Sequence, residues 1–430
     1  MGLSISTLLK YYKRLEIQQA ILDCAEDREI AVKFGDRGFG RRPDVLKYPR
    51  DVLEFAKRGA TSFHCSEELW SNPLQISTGL KAEELNRLRI GWDLLLDIDC
   101  KELEFSKIVA FLLIEALKHF GVKNFSVKFS GNHGFHIGVP FEAFPEFVGD
   151  RPVKDLFPDG PKRIAFLLQE KIRPVLVEKL LSKFSIDLIA EKVGKSPGDL
   201  LFNNSFDPFK VVDIDTVLIS SRHLFRMPFV FNEKSGLVSV VIKPEDIFSF
   251  SKDSAVPENV VPKLKFLDRS KTVPGEAKRL IVEAFDFKPD IKVEETKSDE
   301  YIVPLEDAVP ENCFPPCIKN ILKGLEDGKK RALFILINFL SSLNWDFGSI
   351  EKFVFAWNKR NKEPLRDVYL KGQLKYSRIN KRVLPPNCDN EAYMKGINVC
   401  QPDSLCQKIK NPVNYAIRKF RAGKRGSGKK

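Results

Sequence analysis

Leu94-Leu95-Leu96-Asp97-Ile98-Asp99 is an apolar run that ends in two acids. It predicts a buried strand. Successive strand side chains point to opposite faces, so Asp97 and Asp99 share one face while Leu96 and Ile98 share the other. Two carboxylates so placed converge on one point, which suits a divalent metal shared with a nucleotide's phosphates. Ser130-Gly131-Asn132-His133-Gly134-Phe135-His136 begins 31 residues after Asp99. Its glycines allow close backbone approach, its amides and hydroxyl suit phosphate oxygens, and it holds two of the chain's five histidines.

Outward from these stretches, Lys101 to Phe120 carries apolar residues at helical spacing, Asn124 to Phe129 reads as a strand, and Phe135 to Val139 as another. Strand, helix, strand predicts a right-handed parallel crossover that sets the two stretches in neighbouring strands. Upstream, residues 5–27 read as helix and Arg28 to Phe34 as a strand, followed by a Gly- and Arg-rich connection containing Arg41. Downstream, residues 160–197 are mainly helical. Val211 to Ile219 predicts a strand that offers Asp213 or Asp215 as a third acid. A charged, proline-containing stretch at 289–310 predicts a linker between a domain at 1–288 and a compact helical domain at 311–416, with a basic disordered tail at 417–430.

The 430 residues are 43% hydrophobic and 30% charged, the profile of a globular protein of two or three domains. Apolar runs such as Ala332 to Ile337 are far short of the roughly 20 residues a membrane span needs. The formal charge of +12 is uneven: residues 311–430 carry +15 and residues 1–310 carry −3. A positive domain on a near-neutral one points to a polyanion partner, most often nucleic acid. The eight cysteines do not space like a secreted disulfide framework, so reduced thiols and a cytoplasmic, nucleoid-associated location are expected.

Asp97-Ile98-Asp99, the Ser130-to-His136 turn, and the Asp213 strand followed by His223-Leu224-Phe225-Arg226-Met227-Pro228 resemble the three motifs of the archaeo-eukaryotic primase superfamily, in its catalytic small subunit. The resemblance implies an α+β primase catalytic fold, with mixed sheets flanked by helices. It implies that Asp97, Asp99 and Asp213 bind Mg2+ or Mn2+, that Ser130, Gly131, His133 and His136 meet the incoming nucleotide, and that Arg226 and Arg41 are basic contacts near it. Three departures stand out. His133 occupies a position where the family usually has arginine, Asn232 one where many relatives place histidine, and no cysteine cluster for a zinc knuckle lies between the first two motifs.

Cys317, Cys388, Cys400 and Cys406 are separated by 70, 11 and 5 residues, which is not a zinc-ribbon spacing. With Phe314-Pro315-Pro316 before the first, Pro386-Asn387 before the second and Pro402 to Leu405 before the last, they resemble the iron–sulfur domain of the primase large subunit. That resemblance implies a mainly helical domain holding a [4Fe–4S] cluster on these four thiolates, with Cys313 as a rival ligand. Basic residues between Lys329 and Arg378, interleaved with Trp357 and Tyr376, would then face template and initiating nucleotide.

Together the two resemblances imply a fused primase, of the kind known from reduced archaeal or plasmid genomes. It would be active as a single chain, making short primers on a single-stranded DNA template by two-metal nucleotidyl transfer from NTPs or dNTPs. A replicative helicase or polymerase is a candidate partner, and a membrane is not. The competing readings are a primase-polymerase that mainly extends primers with dNTPs, an Asp-x-Asp glycosyltransferase, and a non-catalytic nucleic-acid-binding protein.

Overall fold

The computed structural model describes residues 3–77, 80, 82–202, 205–214, 220–287, 308–326, 328–379, 383–388 and 390–427. They fall into two compact units, Met1–Pro289 and Asp290–Lys430. The architecture is mixed α+β followed by a helical unit, as the primase resemblance implies.

In the first unit, helices α1 (Ile5–Tyr12) and α2 (Leu15–Leu22) precede strands β1 (Ile30–Lys33) and β2 (Ser62–Ser66). The single helix expected over 5–27 is thus broken near Lys13 and Arg14. Both helices bury apolar residues, and Tyr12 is seated by donating its hydroxyl proton to the carbonyl of Thr61 at 2.8 Å.

The central sheet holds β3 (Leu94–Asp99), β4 (Ser126–Phe129), β5 (Phe135–Val139), β6 (Asp213–Ile214) and, after β7 (Leu224–Arg226) of another sheet, β8 (Val241–Ile242). Its spatial order is β6-β3-β5-β4-β8, and each pairing is antiparallel. The two sequence stretches are neighbours as expected, but the ladder between them is not parallel. The Ser130–Gly134 turn folds β5 back on β4, and it is β5 that lies against β3. Strands β3 and β4 therefore run the same way with β5 between them. β5 suits that central place because all five of its residues are buried. Leu94, Leu96 and Ile98 lie opposite Val139, Ile137 and Phe135 on the face away from Asp97, and all six are fully buried. Helix α3 (Leu103–His119) joins β3 to β4, packs on the sheet and buries Phe105, Val109 and Leu113. Helices α4 (Asp159–Lys183), α5 (Ile186–Val193) and α6 (Lys278–Asp286) complete the surround.

The smaller sheet has the antiparallel order β1-β2-β7. The strand expected over Val211 to Ile219 is described only at Asp213–Ile214. Asp215 lies outside the described residues, as do residues 289–307 of the expected linker.

The second unit is a bundle of α7 (Pro316–Leu322), α8 (Lys329–Ser342), α9 (Phe347–Asn358), α10 (Asp367–Ile379) and α11 (Pro412–Ser427). Val309 lies in the stretch read as linker, yet it is buried in this unit's core, and its carbonyl accepts the Trp345 indole N–H at 2.9 Å. The disordered tail expected from 417 is also corrected, because α11 runs on to Ser427. Val413, Ala416 and Ile417 are buried and Phe420 packs beside them, a helical repeat that anchors one face and carries the basic residues outward. Residues 428–430 lie outside the described set.

The β3–β5 approach makes Gly134 irreplaceable. A Cβ there would stand 2.0 Å from the carbonyl oxygen of Ile98 and 3.3 Å from the hydroxyl of Ser130. Gly134→Ala should cost about 3 kcal/mol or more, since backbone rather than a side chain would have to move. Chemical denaturation of the two proteins measures the difference, and equal midpoints would show that the turn can open.

Candidate active site

Strand register builds the site. Asp97 and Asp99 lie on one face of β3; Asp213 of β6 sits directly across from Asp99, and His136 of β5 directly across from Asp97. Lys128 of β4 continues that row on the far side of His136. Three acids, a histidine and a lysine thus share one sheet face across four strands. Asp99 and Asp213 are exposed and Asp97 is about two-fifths exposed, so the acidic end opens to solvent while His136 and Lys128 lie beneath the surface.

His136 Nε2 is 3.3 Å from Asp97 Oδ1, and His136 Nδ1 is buried without a hydrogen-bond partner. Burial, with the charges of Lys128 and Arg226, holds the imidazole well below its ordinary pKa, so it is neutral at pH 7. Lys128 is fully buried. Burial brings its ammonium down to about 7 against the opposing pull of Asp97, and its contacts are the Ser239 hydroxyl at 3.1 Å and the rings of Phe266 and Phe225. A lysine in the apolar surroundings of Val127 and Phe129 attracts no attention in sequence. Its place in the β4 alternation, facing the same way as His136, is the signal that could have found it.

The glycine turn packs against a second loop. Gly131 has φ of +101°, a Cβ there would meet the Asn232 side chain at 2.8 Å, and the Ser235 hydroxyl donates to its carbonyl at 2.5 Å. The backbone N–H of Ser130 donates to the carbonyl of Gly134 at 2.9 Å and closes the turn. His133 is half-buried on it. Partial burial and the charge of Lys252 lower its pKa, so it brings no cation at neutral pH.

Arg226 sits on β7 directly across from His64. Its guanidinium donates to the Phe231 carbonyl and, at 3.0 Å, to Glu233. Glu233 also accepts from Thr61 at 2.8 Å and Ser62 at 2.5 Å, and Lys33 lies 3.5 Å away. Burial opposes its ionisation, but Arg226 and the hydroxyls prevail and hold it near 2. His64 is pushed down to about 3, first by burial and then by Arg226. Neither His64 nor Glu233 was singled out in sequence, although Ser62, His64 and Ser66 alternate with Phe63 and Cys65 as strand polar and apolar faces do. Arg41 is exposed on the connection after β1, whereas its neighbour Arg42 is spent on buried Glu29 at 3.0 Å.

The first unit also holds a buried ionic lattice. Glu29 accepts from Arg42 and Arg222, Glu68 from Arg89 and Ser221, and Asp93 from Arg28 and from Arg269 at 2.9 Å. Each carboxylate is essentially unexposed, and each has cationic partners, as burial of charge requires.

In the second unit, segments carrying the four predicted cysteines are stitched together. Cys317 lies in the first turn of α7, whose Asn320 donates to the Val399 carbonyl and to Gln401, flanking Cys400. The backbone N–H of Cys388 donates to the Lys410 carbonyl at 2.9 Å. Asp403 accepts the N–H of Cys406 at 3.0 Å and the Tyr415 hydroxyl at 2.6 Å. Burial, and then the nearness of Cys388, Cys400 and Cys406, pushes the Cys317 thiol up to about 12. Trp357 is not a surface platform: it is buried, with its indole N–H donated to the Ile321 carbonyl. The side chain of Tyr376 lies outside the described residues. Among the described residues, no three His, Cys, Asp or Glu side chains are drawn to metal-ligand spacing in either unit.

Known proteins match part of this chain. Residues 95–244 match the DNA primase small subunit family. That span runs from β3 to just past β8 and takes in the acids, the glycine turn, Lys128, Arg226 and Glu233. It does not reach the cysteines. An uncharacterized protein of Methanocaldococcus jannaschii is 27% identical over 143 residues, which is 33% of this chain and 30% of that protein's length. The polymerase domain of Mycobacterium tuberculosis Ligase D, solved in complex with DNA, aligns at 15% identity over 59% of this chain and 88% of that one, with a TM-score of 0.38.

The buried ammonium of Lys128 has a measurable consequence. The unfolded lysine keeps its proton up to about pH 10.5, the folded one only up to about 7, so between these values the unfolded chain binds more protons and stability rises with pH. Thermal melts should show that rise in the wild-type chain and a flatter trend in Lys128→Met. Parallel curves would mean that the lysine is solvated in the fold.

Proposed function

We propose that the first unit is a template-directed nucleotidyltransferase of the primase type, which starts and extends short primers on single-stranded DNA. The observation that supports this best is the register of Asp97, Asp99 and Asp213 on adjacent strands, beside a glycine turn, within the span that matches the primase small subunit. The donor set fits the expected ions, because carboxylates are the hard oxygen ligands that Mg2+ and Mn2+ prefer. Bound there, divalent ions supply activation of a primer 3′-hydroxyl and neutralisation of the triphosphate.

The chain's own residues do the remainder. Asp97, Asp99 and Asp213 hold the ions. Ser130 and the amides of the Gly131–Gly134 turn receive phosphate oxygens, and neutral His136 fixes the orientation of Asp97. Arg226 keeps N–H groups beyond its bonds to Phe231 and Glu233 and offers them to the polyphosphate, with exposed Arg41 as a further cation. His133 contributes hydrogen bonding without charge, so more of the electrostatic load falls on Arg226 and Arg41. We assign to the second unit a [4Fe–4S] cluster on Cys317, Cys388, Cys400 and Cys406. Cys317 lies within electrostatic reach of Cys388, Cys400 and Cys406, which supports the assignment although the thiols do not stand at ligand spacing in this structure; four such groups ionise together only around a cationic centre. That unit would hold template and initiating nucleotide while the first unit joins the second nucleotide.

Asp97→Asn with Asp99→Asn should lower nucleotide incorporation on an unprimed single strand by about 10^3-fold while leaving the melting profile close to that of the parent. Incorporation at the parental rate would end the catalytic reading. Anaerobically purified protein should contain about four iron and four sulfide per chain, and Cys400→Ser should lower both. A colourless protein with stoichiometric zinc would remove the cluster from the reading.

A further inference from the structure

In the second unit a cavity of about 410 Å³ opens between the Lys408–Lys410 segment and helix α11. Its lining differs in character from the acidic site of the first unit. Ile409 and buried Ile417 form an apolar floor, and exposed Lys408, Lys410, Arg418 and Arg421 form the rim, with Asn414 as the one neutral polar side chain. No carboxylate lines it. None of the four cations is paired with an acid among the described residues. Four like charges held around one hollow raise each other's energy unless an anion lies among them.

The groove is also built rather than loose. Arg418 donates through Nη1 to the Lys408 carbonyl at 2.9 Å, which locks helix to segment. The Lys410 carbonyl accepts from the Cys388 N–H, and the Asn411 side chain donates to the Pro385 carbonyl and to Asn387. On α11, Asn414, Arg418 and Arg421 recur at helical spacing, so they form one row along the groove.

We infer that this groove binds the sugar-phosphate backbone of a single nucleic-acid strand, independently of base sequence. The chemistry of the lining selects that ligand. Cations in number call for phosphate oxygens, and the absence of an aromatic side chain from the lining leaves no platform on which a base could stack. The hollow is several times larger than one phosphate group needs, and its cations come from two segments, so successive phosphates are the better fit. The inference extends the proposed function by giving the strand a place on the second unit, but binding there does not require catalysis.

The test uses the full chain without nucleotide. A fluorescently labelled single-stranded oligonucleotide is titrated by anisotropy at several salt concentrations, against the wild type and against Lys408→Gln with Lys410→Gln and Arg421→Gln. Arg418 is left intact because it holds the groove together. The variant should bind about tenfold or more weakly at low salt, and its plot of log affinity against log salt should be shallower by about 2, near 0.7 for each phosphate that the variant no longer neutralises. An oligonucleotide of different sequence should give the same pair of slopes. Parallel slopes for variant and wild type would overturn the inference, as would displacement of the oligonucleotide by inorganic tripolyphosphate at equal phosphate concentration, which would mark a free polyphosphate as the ligand. Asp97→Asn with Asp99→Asn, run alongside, should keep the wild-type slope, so a failure of the catalytic reading and a failure of the groove give different results.

Discussion

One constraint governs the first unit: the antiparallel register that sets Asp97 against His136 and Asp99 against Asp213. Shifting any of the three strands by one residue would turn its functional side chains to the apolar face and its core residues to the polar one. The register is therefore held twice. It is fixed by the side chains, through the fully buried Leu94, Leu96, Ile98, Phe135 and Ile137, and by the backbone, through the close approach of Gly134 to the Ile98 carbonyl.

The acidic end of that face opens to solvent and the basic part lies beneath it. Burial explains first why His136 and His133 are neutral, with Lys128 and Arg226 adding to it at the one and Lys252 at the other. Protonating His136 would put a charge in a buried place close to Lys128 and half-buried Arg226, and burial alone already disfavours it. Glu233 does the opposite service for Arg226, holding a guanidinium in place with a carboxylate that stays ionised far below neutral pH. The lattice of Glu29, Glu68 and Asp93 with their arginines ties β1, the segment after β2 and the loop before β7 into one frame, so the polar residues around the site are positioned by charge as well as by packing.

Much of this is legible in the chain. Alternation marks β3, helical spacing marks α3, and β5 lies at its expected bounds, because local periodicity determines those elements. Which strand of the 126–139 hairpin lies against β3 is not legible: a strand–helix–strand pattern does not say whether a hairpin will insert its second arm. Lys128, His64 and Glu233 escape a sequence reading for a related reason, since each acquires its meaning from partners far away in sequence. Composition alone predicts a disordered basic end, whereas the apolar repeat of Val413, Ala416, Ile417 and Phe420 seats it as helix. The family match covers 95–244 and so bears on the acids and the turn, not on the cysteines.

The turn between β4 and β5 leaves little freedom to evolution. Gly131 is boxed in by Asn232 and Gly134 by the β3 backbone, so of the four residues from Gly131 to Gly134 only Asn132 and His133, both half-buried, can vary without disturbing the sheet. Natural drift at this turn is thereby funnelled into two codons.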